Sequence, residues 1–379
     1  MASVEHPGTV STVIASMPVS DRLPRLRRAL AESGQPEALL VTSLTNIRYL
    51  TGFTGSAGML FVLAGETVLL TDGRYDTQAG AQLEAASVPA RVEVGPAAQQ
   101  AERAAAILGP HSVLALALEA AHVSWARQQA FAEKWFPGTE LIPTVGLVEA
   151  LRRVKDPGEL DRLAEAARIA DEALAAVRPR LRDGITEADF GRALDFEMRV
   201  LGATAPSFET IVASGPNGAI PHHRPGSRLV GRNEPVVIDF GALFEGYCSD
   251  MTRTVWVDGV GAPVLEEAVE LVLASQAAGV RAVRAGVACV DVDRACRAVI
   301  EDAGWGDRFV HGTGHGVGLE IHEAPSVSAF STDTLEPGHV VTVEPGVYLP
   351  GVGGVRIEDT VVVTEDGCRP LTSTPKDAP

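Results

Sequence analysis

The first part of the chain alternates short apolar runs with segments of helical periodicity. The run ALLVTS (38–43) is typical of a buried strand, and GMLFVLAGETVLLTDG (58–73) indicates a hairpin that turns near Gly65. Further strands are predicted near 91–95, 113–117 and 140–142, and helices near 75–86, 97–108 and 123–135. The alternation predicts a small α/β domain over residues 21–152, preceded by a loose tail at 1–20.

A strong helix-start signal marks the end of this domain. Asp156 is a candidate N-cap, Pro157 suits the first helical position, and Glu159 follows three residues after the cap. A second helix is predicted at about 186–201. We therefore place a domain boundary near residue 153.

Beyond residue 205 the pattern changes to strands, turns and glycines. Two helical patterns interrupt it, at about 263–284 and 289–303. This mixture predicts an α+β domain over 153–372. The sequence shows no repeat of solenoid period, although two related halves within this domain remain possible.

The segment HGTGHGVGLEIH (311–322) places three histidines among glycines at every even position from Gly312 to Gly318. A helix is disfavoured, because each glycine costs about 1 kcal/mol relative to alanine. An extended chain puts His311 and His315 on one face and leaves the other face bare, so that another backbone or a ligand can approach closely. A glycine-rich loop with incidental histidines is the alternative.

Two predicted hairpins carry carboxylates on apolar strands. In VVIDFGALFEGYCSDMTRTVWV (236–257), opposed residues of a hairpin have a constant index sum, and Asp239 plus Asp250 gives a midpoint within the turn near Phe244–Gly246. In VTVEPGVYLPGVGGVRIEDTVVV (341–363), Glu344 plus Glu358 centres on Gly351 in the same way. Each pair is therefore expected to be nearly opposite, unless a bulge shifts the register.

Buried like charges must protonate or hold a cation between them. Four carboxylates balance two divalent ions, and His315 adds a neutral imidazole, so Asp239, Asp250, His315, Glu344 and Glu358 form a candidate dinuclear site. Oxygen-rich ligands with one imidazole suit manganese, and suit cobalt, iron or zinc less distinctively. Any one of these residues taken alone is explained more simply as a turn or surface residue; it is the combination that predicts a site.

Composition narrows the classes of function. The chain has 379 residues and a net charge of −17, which opposes binding to nucleic acid or to anionic membranes. The sequence has no apolar run of about 18 residues and no signal-peptide pattern. Its four cysteines form no CxxC, which favours reduced thiols in a cytoplasmic protein.

These motifs resemble a known family. VVIDFGA, YCSDMTRT, HGTGHGVGLEIHE, VEPGVY and GVRIEDT, in that order, resemble the pita-bread metallopeptidases: aminopeptidase P, prolidase and methionine aminopeptidase. TGFTGSAG and TDGRYDTQA, in the N-terminal domain, are most similar to aminopeptidase P. The resemblance implies a creatinase-like N-terminal domain followed by a pita-bread catalytic domain.

The resemblance also implies roles for individual residues. Asp239 would chelate one metal, Asp250 and Glu358 would bridge both, and His315 and Glu344 would complete the second. The resemblance implies four further active-site residues. His222 would contact the substrate near the scissile bond, and His322 would hold the substrate carbonyl or the residue after that bond. Arg356 would brace the site of His322, and His311 would line the pocket. Glu344 would also transfer protons.

The expected activity is hydrolysis of the bond between an N-terminal residue and proline, as in a Xaa-Pro aminopeptidase. A Xaa-Pro dipeptidase with the same site is the close alternative, and a metal-free binding protein on the same fold is the third. The resemblance implies a homo-oligomer, either a dimer or a tetramer, acting on peptides with proline in second position.

Overall fold

The computed structural model describes residues 17–259 and 261–376. They form two compact units, the first ending at Arg152 and the second beginning at Arg153. The predicted domain limits stay predictions, and most of the predicted 1–20 tail lies outside the described residues.

The first unit is a six-stranded mixed sheet with helices. Its elements are α1 (Arg22–Glu32), β1 (Leu39–Val41), α2 (Leu44–Thr51), β2 (Met59–Val62), β3 (Thr67–Thr71), α3 (Asp76–Ala85), β4 (Arg91–Val94), α4 (Gln100–Leu108), β5 (Ala115–Glu119), α5 (Trp125–Ala130), β6 (Glu140–Thr144) and α6 (Leu147–Arg152). The strand order is β4-β3-β2-β1-β5-β6. The pairs β1–β2 and β2–β3 are antiparallel. The pairs β3–β4, β1–β5 and β5–β6 are parallel.

The second unit contains helices and several small sheets. Its elements are α7 (Pro157–Val177), α8 (Glu187–Val200), β7 (Ala205–Pro206), β8 (Ile211–Ser214), β9 (Glu234–Phe240), β10 (Ala242–Phe244), β11 (Tyr247–Cys248), β12 (Met251–Val257), α9 (Pro263–Ala282), α10 (Cys289–Asp302), β13 (Gly314–Gly316), β14 (Glu323–Val327), β15 (Val340–Val343), β16 (Gly346–Leu349), β17 (Gly353–Arg356), β18 (Asp359–Val363) and β19 (Cys368–Pro370). The predicted capping box starts α7: the Asp156 side chain accepts from the Glu159 amide, and the Glu159 side chain accepts from the Asp156 amide.

Two helix pairs cover two groups of strands in this unit. Helices α7 and α8 share an apolar core with β9 and β12, and α9 and α10 share another with β15 and β18. Hydrogen bonds join the two groups of strands, from the Glu358 amide to the Thr252 carbonyl (3.1 Å) and from the Thr254 hydroxyl to the Arg356 carbonyl (2.9 Å). The carboxylate-bearing strand ends therefore meet where the two halves join.

No helix among the described residues is long and apolar enough to cross a membrane. All four cysteines are free thiols, three of them buried. The α/β unit followed by an α+β unit agrees with the predicted fold class.

Candidate metal centre and substrate cavity

The first carboxylate hairpin has a different register from the one predicted. Asp239 pairs with Thr252, not with Asp250, because the turn is the two-residue loop Glu245–Gly246. Both loop residues have positive φ, 43° and 81°, which suits the tight hairpin turn that follows the right-handed twist of the strands. Asp250 is two positions from Thr252, which places it diagonally from Asp239 rather than opposite.

The second carboxylate hairpin keeps the predicted register. Val343 pairs with Asp359 on one side of the glutamates, and Gly346 pairs with Arg356 on the other. Both pairs have the index sum expected for Glu344 opposite Glu358. The two glutamates lie in the short interval between these ladders.

The glycines beside His315 are required by neighbouring backbone. A Cβ on Gly314 would lie 2.1 Å from the Thr342 carbonyl oxygen, and one on Gly316 would lie 2.4 Å from the Ala324 carbonyl oxygen. His315 itself is in strand β13, between β14 and β15. The sequence predicted that these glycines allow either another backbone or a ligand to approach closely. At Gly314 and Gly316 the structure shows another backbone.

The ring of His315 is fixed by its neighbours. Its Nδ1 lies 3.0 Å from the Gly316 carbonyl oxygen, which only accepts, so Nδ1 carries the proton and Nε2 offers a lone pair. Nε2 faces Asp250 Oδ2 at 3.5 Å and Glu344 Oε1 at 3.4 Å. Asp250, His315 and Glu358 each place a potential ligand atom within 4.8 Å of the others, so this group could hold a metal ion.

The carboxylates are held where their negative charge is unfavourable. Burial, followed by the charges of Glu358, Asp239 and Glu344, raises the pKa of Asp250 well above its usual range. Burial likewise raises the pKa of Glu358, and it raises the pKa of Glu344 to about 8. Asp239 Oδ1 and Glu358 Oε1 are buried without a hydrogen-bond partner among the described residues. A cation would satisfy these oxygens and neutralise the charge, so the residues fit a metal site.

Arg356 connects the carboxylates to the cavity wall. It is only 3% exposed, and its guanidinium donates to Asp239 Oδ2 (2.6 Å), the Thr252 hydroxyl (3.1 Å), the Tyr348 hydroxyl (2.9 Å) and the Pro221 carbonyl (3.2 Å). The Thr252 hydroxyl in turn donates to Glu358 Oε2 (2.7 Å). Four of the five guanidinium N–H donors are thus engaged within the protein.

His311 belongs to the same network through Tyr348. Its Nδ1 donates to the Gly312 carbonyl (2.8 Å), so Nε2 of the neutral ring accepts from the Tyr348 hydroxyl (2.7 Å). Burial lowers the pKa of His311 to about 4, which keeps the ring neutral near pH 7. Tyr348 was not predicted as a site residue, because nothing in VEPGVY shows that it reaches across to His311.

His222 is followed by a second histidine, His223, and the buried Glu187 holds the latter. This fully buried carboxylate accepts from the Ser214 amide (2.8 Å), from the Asn217 side chain (3.0 Å) and from His223 Nε2 (2.9 Å). His223 is therefore tied to the loop, while His222 is exposed and lines the cavity. No motif pointed to Glu187, which lies in the first turn of α8.

A cavity of about 850 Å³ opens onto these groups. Its wall contains every predicted site residue, namely His222, Asp239, Asp250, His311, His315, His322, Glu344, Arg356 and Glu358. The rings of His315 and His322 lie edge to face with centroids 4.4 Å apart. The cavity is large enough for a peptide of several residues beside the carboxylate cluster.

Two family models and a curated relative match this chain. Residues 161–365 match metallopeptidase family M24, and residues 22–154 match the creatinase/prolidase N-terminal domain. A Bacillus subtilis protein described as an uncharacterized peptidase is 39% identical over 94% of this chain and 99% of its own length.

Two solved structures match nearly the whole chain. The structure described as Xaa-Pro dipeptidase from Bacillus anthracis has 39% identity and a TM-score of 0.90, over 94% of this chain and 98% of its own. The X-Pro aminopeptidase from Thermotoga maritima has 33% identity and a TM-score of 0.85, with the same coverage. The predicted fold and family resemblance are confirmed: the chain belongs to metallopeptidase family M24, in the aminopeptidase P and prolidase branch, with a creatinase-type N-terminal domain and a pita-bread catalytic domain.

Proposed function

We propose that this chain is a Xaa-Pro aminopeptidase, which removes the N-terminal residue from peptides with proline in second position. The observation that carries the proposal is the cluster of four carboxylates and one imidazole at the wall of a cavity larger than a dipeptide requires. The motifs TGFTGSAG and TDGRYDTQA, which resemble aminopeptidase P, favour the aminopeptidase over the dipeptidase. The predicted homo-oligomer stays a prediction.

Two divalent ions would be held by Asp239, Asp250, His315, Glu344 and Glu358. The ligand set is rich in oxygen, which suits manganese, with cobalt, iron and zinc as alternatives. When bound, such ions lower the pKa of a water molecule toward neutrality and make it a nucleophile at physiological pH. One oxygen each of Asp239 and Glu358 lacks a hydrogen-bond partner among the described residues, which supports this assignment over a metal-free binding protein.

Glu344 is the proton carrier of the proposed reaction. It takes a proton from the attacking water and delivers it to the proline nitrogen as that nitrogen leaves. As a carboxylate it can accept the first proton, and once protonated it can hold that proton until the second transfer. Glu344 is also a proposed metal ligand, so the test is a Glu344→Gln variant loaded to the metal content of the wild type. In that variant we expect activity to fall by about 10²–10⁴-fold.

The other predicted catalytic residues divide into two kinds. His222 and His322 are exposed within the cavity, where they can contact the substrate on either side of the bond. Arg356 is buried and has four of its five N–H donors engaged by the protein, so we assign it a positioning role through Asp239. His311 is assigned to the same positioning network through Tyr348.

The dipeptidase alternative is favoured by several similar proteins named as dipeptidases or prolidases, among them the Bacillus anthracis Xaa-Pro dipeptidase at 39% identity. A dipeptidase must bind the free carboxylate of its proline, for which a guanidinium is the best partner. Among the described residues of the cavity wall, the guanidinium groups are those of Arg224 and Arg356. Arg356 is buried against Asp239, whereas Arg224 and its partner Glu209 are both exposed, so Arg224 is the guanidinium of this wall that a substrate carboxylate could reach.

The test is hydrolysis of Ala-Pro-Ala beside Ala-Pro, with manganese added and with a chelator as control. Release of free alanine from the tripeptide supports the proposal. Hydrolysis of the dipeptide alone would assign the chain to the dipeptidases. Activity that persists after complete removal of metal would contradict both.

A further inference from the structure

Two large apolar side chains are exposed at the wall of the cavity, and a third is exposed close to it along the chain. Ile220 and Val310 line it and are 52% and 66% exposed. Phe330 is 95% exposed and follows two residues after Ser328, which also lines it. Exposed apolar groups gathered beside a cavity indicate a binding surface more often than scattered ones do.

The backbone that carries Val310 is clamped in place. Arg297 donates to the carbonyls on both sides of it, those of Phe309 (3.1 Å) and His311 (2.9 Å). Arg297 is itself fixed by two contacts of 3.0 Å to the buried Asp293 carboxylate. The fixed backbone on both sides of Val310 therefore holds its side chain in an exposed position.

The backbone beside the other two side chains is also fixed. The Ile220 amide donates to the Asn217 carbonyl (2.9 Å), and the next carbonyl, that of Pro221, accepts from Arg356. Phe330 lies in a turn closed by a bond from the Ser331 amide to the Ser328 carbonyl (3.1 Å). The rim thus presents a surface of defined shape.

The direction of a bound peptide follows from the proposed reaction. The bond that is cleaved joins the first residue to proline and must lie at the carboxylate cluster, so these two residues occupy the inner part of the cavity. An extended chain advances about 3.3 Å per residue, so the residue after proline is carried outward, toward the rim. Only a substrate longer than a dipeptide has this residue.

We propose that Ile220, Val310 and Phe330 form a subsite for the residue after proline and make the enzyme prefer substrates with an apolar side chain there. This inference rests on the proposed aminopeptidase function. A second copy of the chain is the other possible occupant of the same surface.

The experiment measures kcat/KM for Ala-Pro-Leu and Ala-Pro-Asn, whose third residues have similar size and no charge. We expect a preference for leucine of about tenfold, the lower end of what a small apolar contact contributes. Val310→Ser and Phe330→Ser should each reduce this ratio toward one. Phe196→Ser is the matched control, because Phe196 is 66% exposed on α8 and does not line the cavity, and it should leave the ratio unchanged.

Equal rates for the two peptides, or a ratio that survives both rim substitutions, would overturn the subsite. Size-exclusion chromatography of the same variants tests whether a second copy of the chain occupies this surface. Loss of an oligomer on Phe330→Ser with an unchanged ratio would assign the surface to a contact between copies. Failure of the proposed function gives a different result, namely hydrolysis of Ala-Pro and of neither tripeptide.

Discussion

Arg356 and Asp239 form a buried ion pair in which Nη2 donates to Oδ2 at 2.6 Å and leaves Oδ1 without a partner among the described residues. Thr252 and Glu358 repeat the arrangement: the hydroxyl donates to Oε2, and Oε1 has no partner within the part of the chain that the structure describes. In each pair one oxygen orients the carboxylate and the other remains available. This is what a metal ligand needs from its surroundings.

Replacing Arg356 by lysine should reduce both manganese affinity and kcat/KM by about 10- to 100-fold, the usual cost of losing a partner that orients a ligand. Lysine keeps the charge and cannot reach Asp239, Thr252 and Tyr348 together. Manganese titration and steady-state kinetics check this. Arg224→Lys is the matched control, because Arg224 is an exposed cavity residue without a link to Asp239. Equal loss in the two variants would contradict a positioning role.

Replacing Thr252 by valine should weaken manganese binding by about tenfold, because the isosteric side chain cannot donate to Glu358. Serine at this position retains the hydroxyl and should restore most of the affinity. Isothermal titration with manganese measures both variants. If valine and serine behaved alike, the hydroxyl would have no part in orienting Glu358.

Replacing Glu187 by glutamine should raise KM for Ala-Pro-Ala, because the charged acceptor that ties the loop of His222 is lost. The unfolding free energy should also fall by about 1–3 kcal/mol, since hydrogen bonds to a buried charged group are lost. Kinetics together with urea denaturation separate the two effects. An unchanged KM at reduced stability would make Glu187 a structural residue only.

His339 should make the protein less stable in acid. Burial lowers its pKa to about 4, while an unfolded histidine titrates near 6.5. Between these values the unfolded chain binds the extra proton, so the free energy of unfolding falls as pH falls from about 6.5 to 4, by at most about 1.4 kcal/mol per pH unit. Urea denaturation of chelated protein at pH 7 and pH 5 measures this, and His339→Gln should lose less stability than the wild type. Equal losses would show that His339 does not titrate in this way.

The second carboxylate hairpin was predicted from sequence better than the first. Residues around Gly351 form a turn centred where the index sum requires, so the register follows from the turn. In the first hairpin the loop could close at Phe244–Gly246 in more than one way. The positive φ of Glu245 fixes the two-residue loop and with it the register of the strands. The sequence alone does not indicate that a glutamate adopts this conformation.

The residues that support the candidate ligands could not be predicted from local motifs. Thr252 faces Asp239 only because of the register, and Tyr348 meets His311 only because β16 lies beside the loop of residues 309–312. His222 and His223 are neighbours of the same type, and the buried Glu187 that distinguishes them lies 35 residues before His222. Such contacts depend on tertiary packing, while the histidines, glycines and carboxylates of the site are visible as motifs.

The most direct test of the proposed metal centre is the number of manganese ions per chain that accompanies activity. Wild-type protein, stripped of metal and titrated with manganese, should bind two ions per chain by elemental analysis and gain Xaa-Pro hydrolysis as they bind. Glu358→Gln should bind fewer ions and remain inactive while staying folded by circular dichroism. Full activity without bound metal, or two ions and full activity in Glu358→Gln, would contradict the proposed centre.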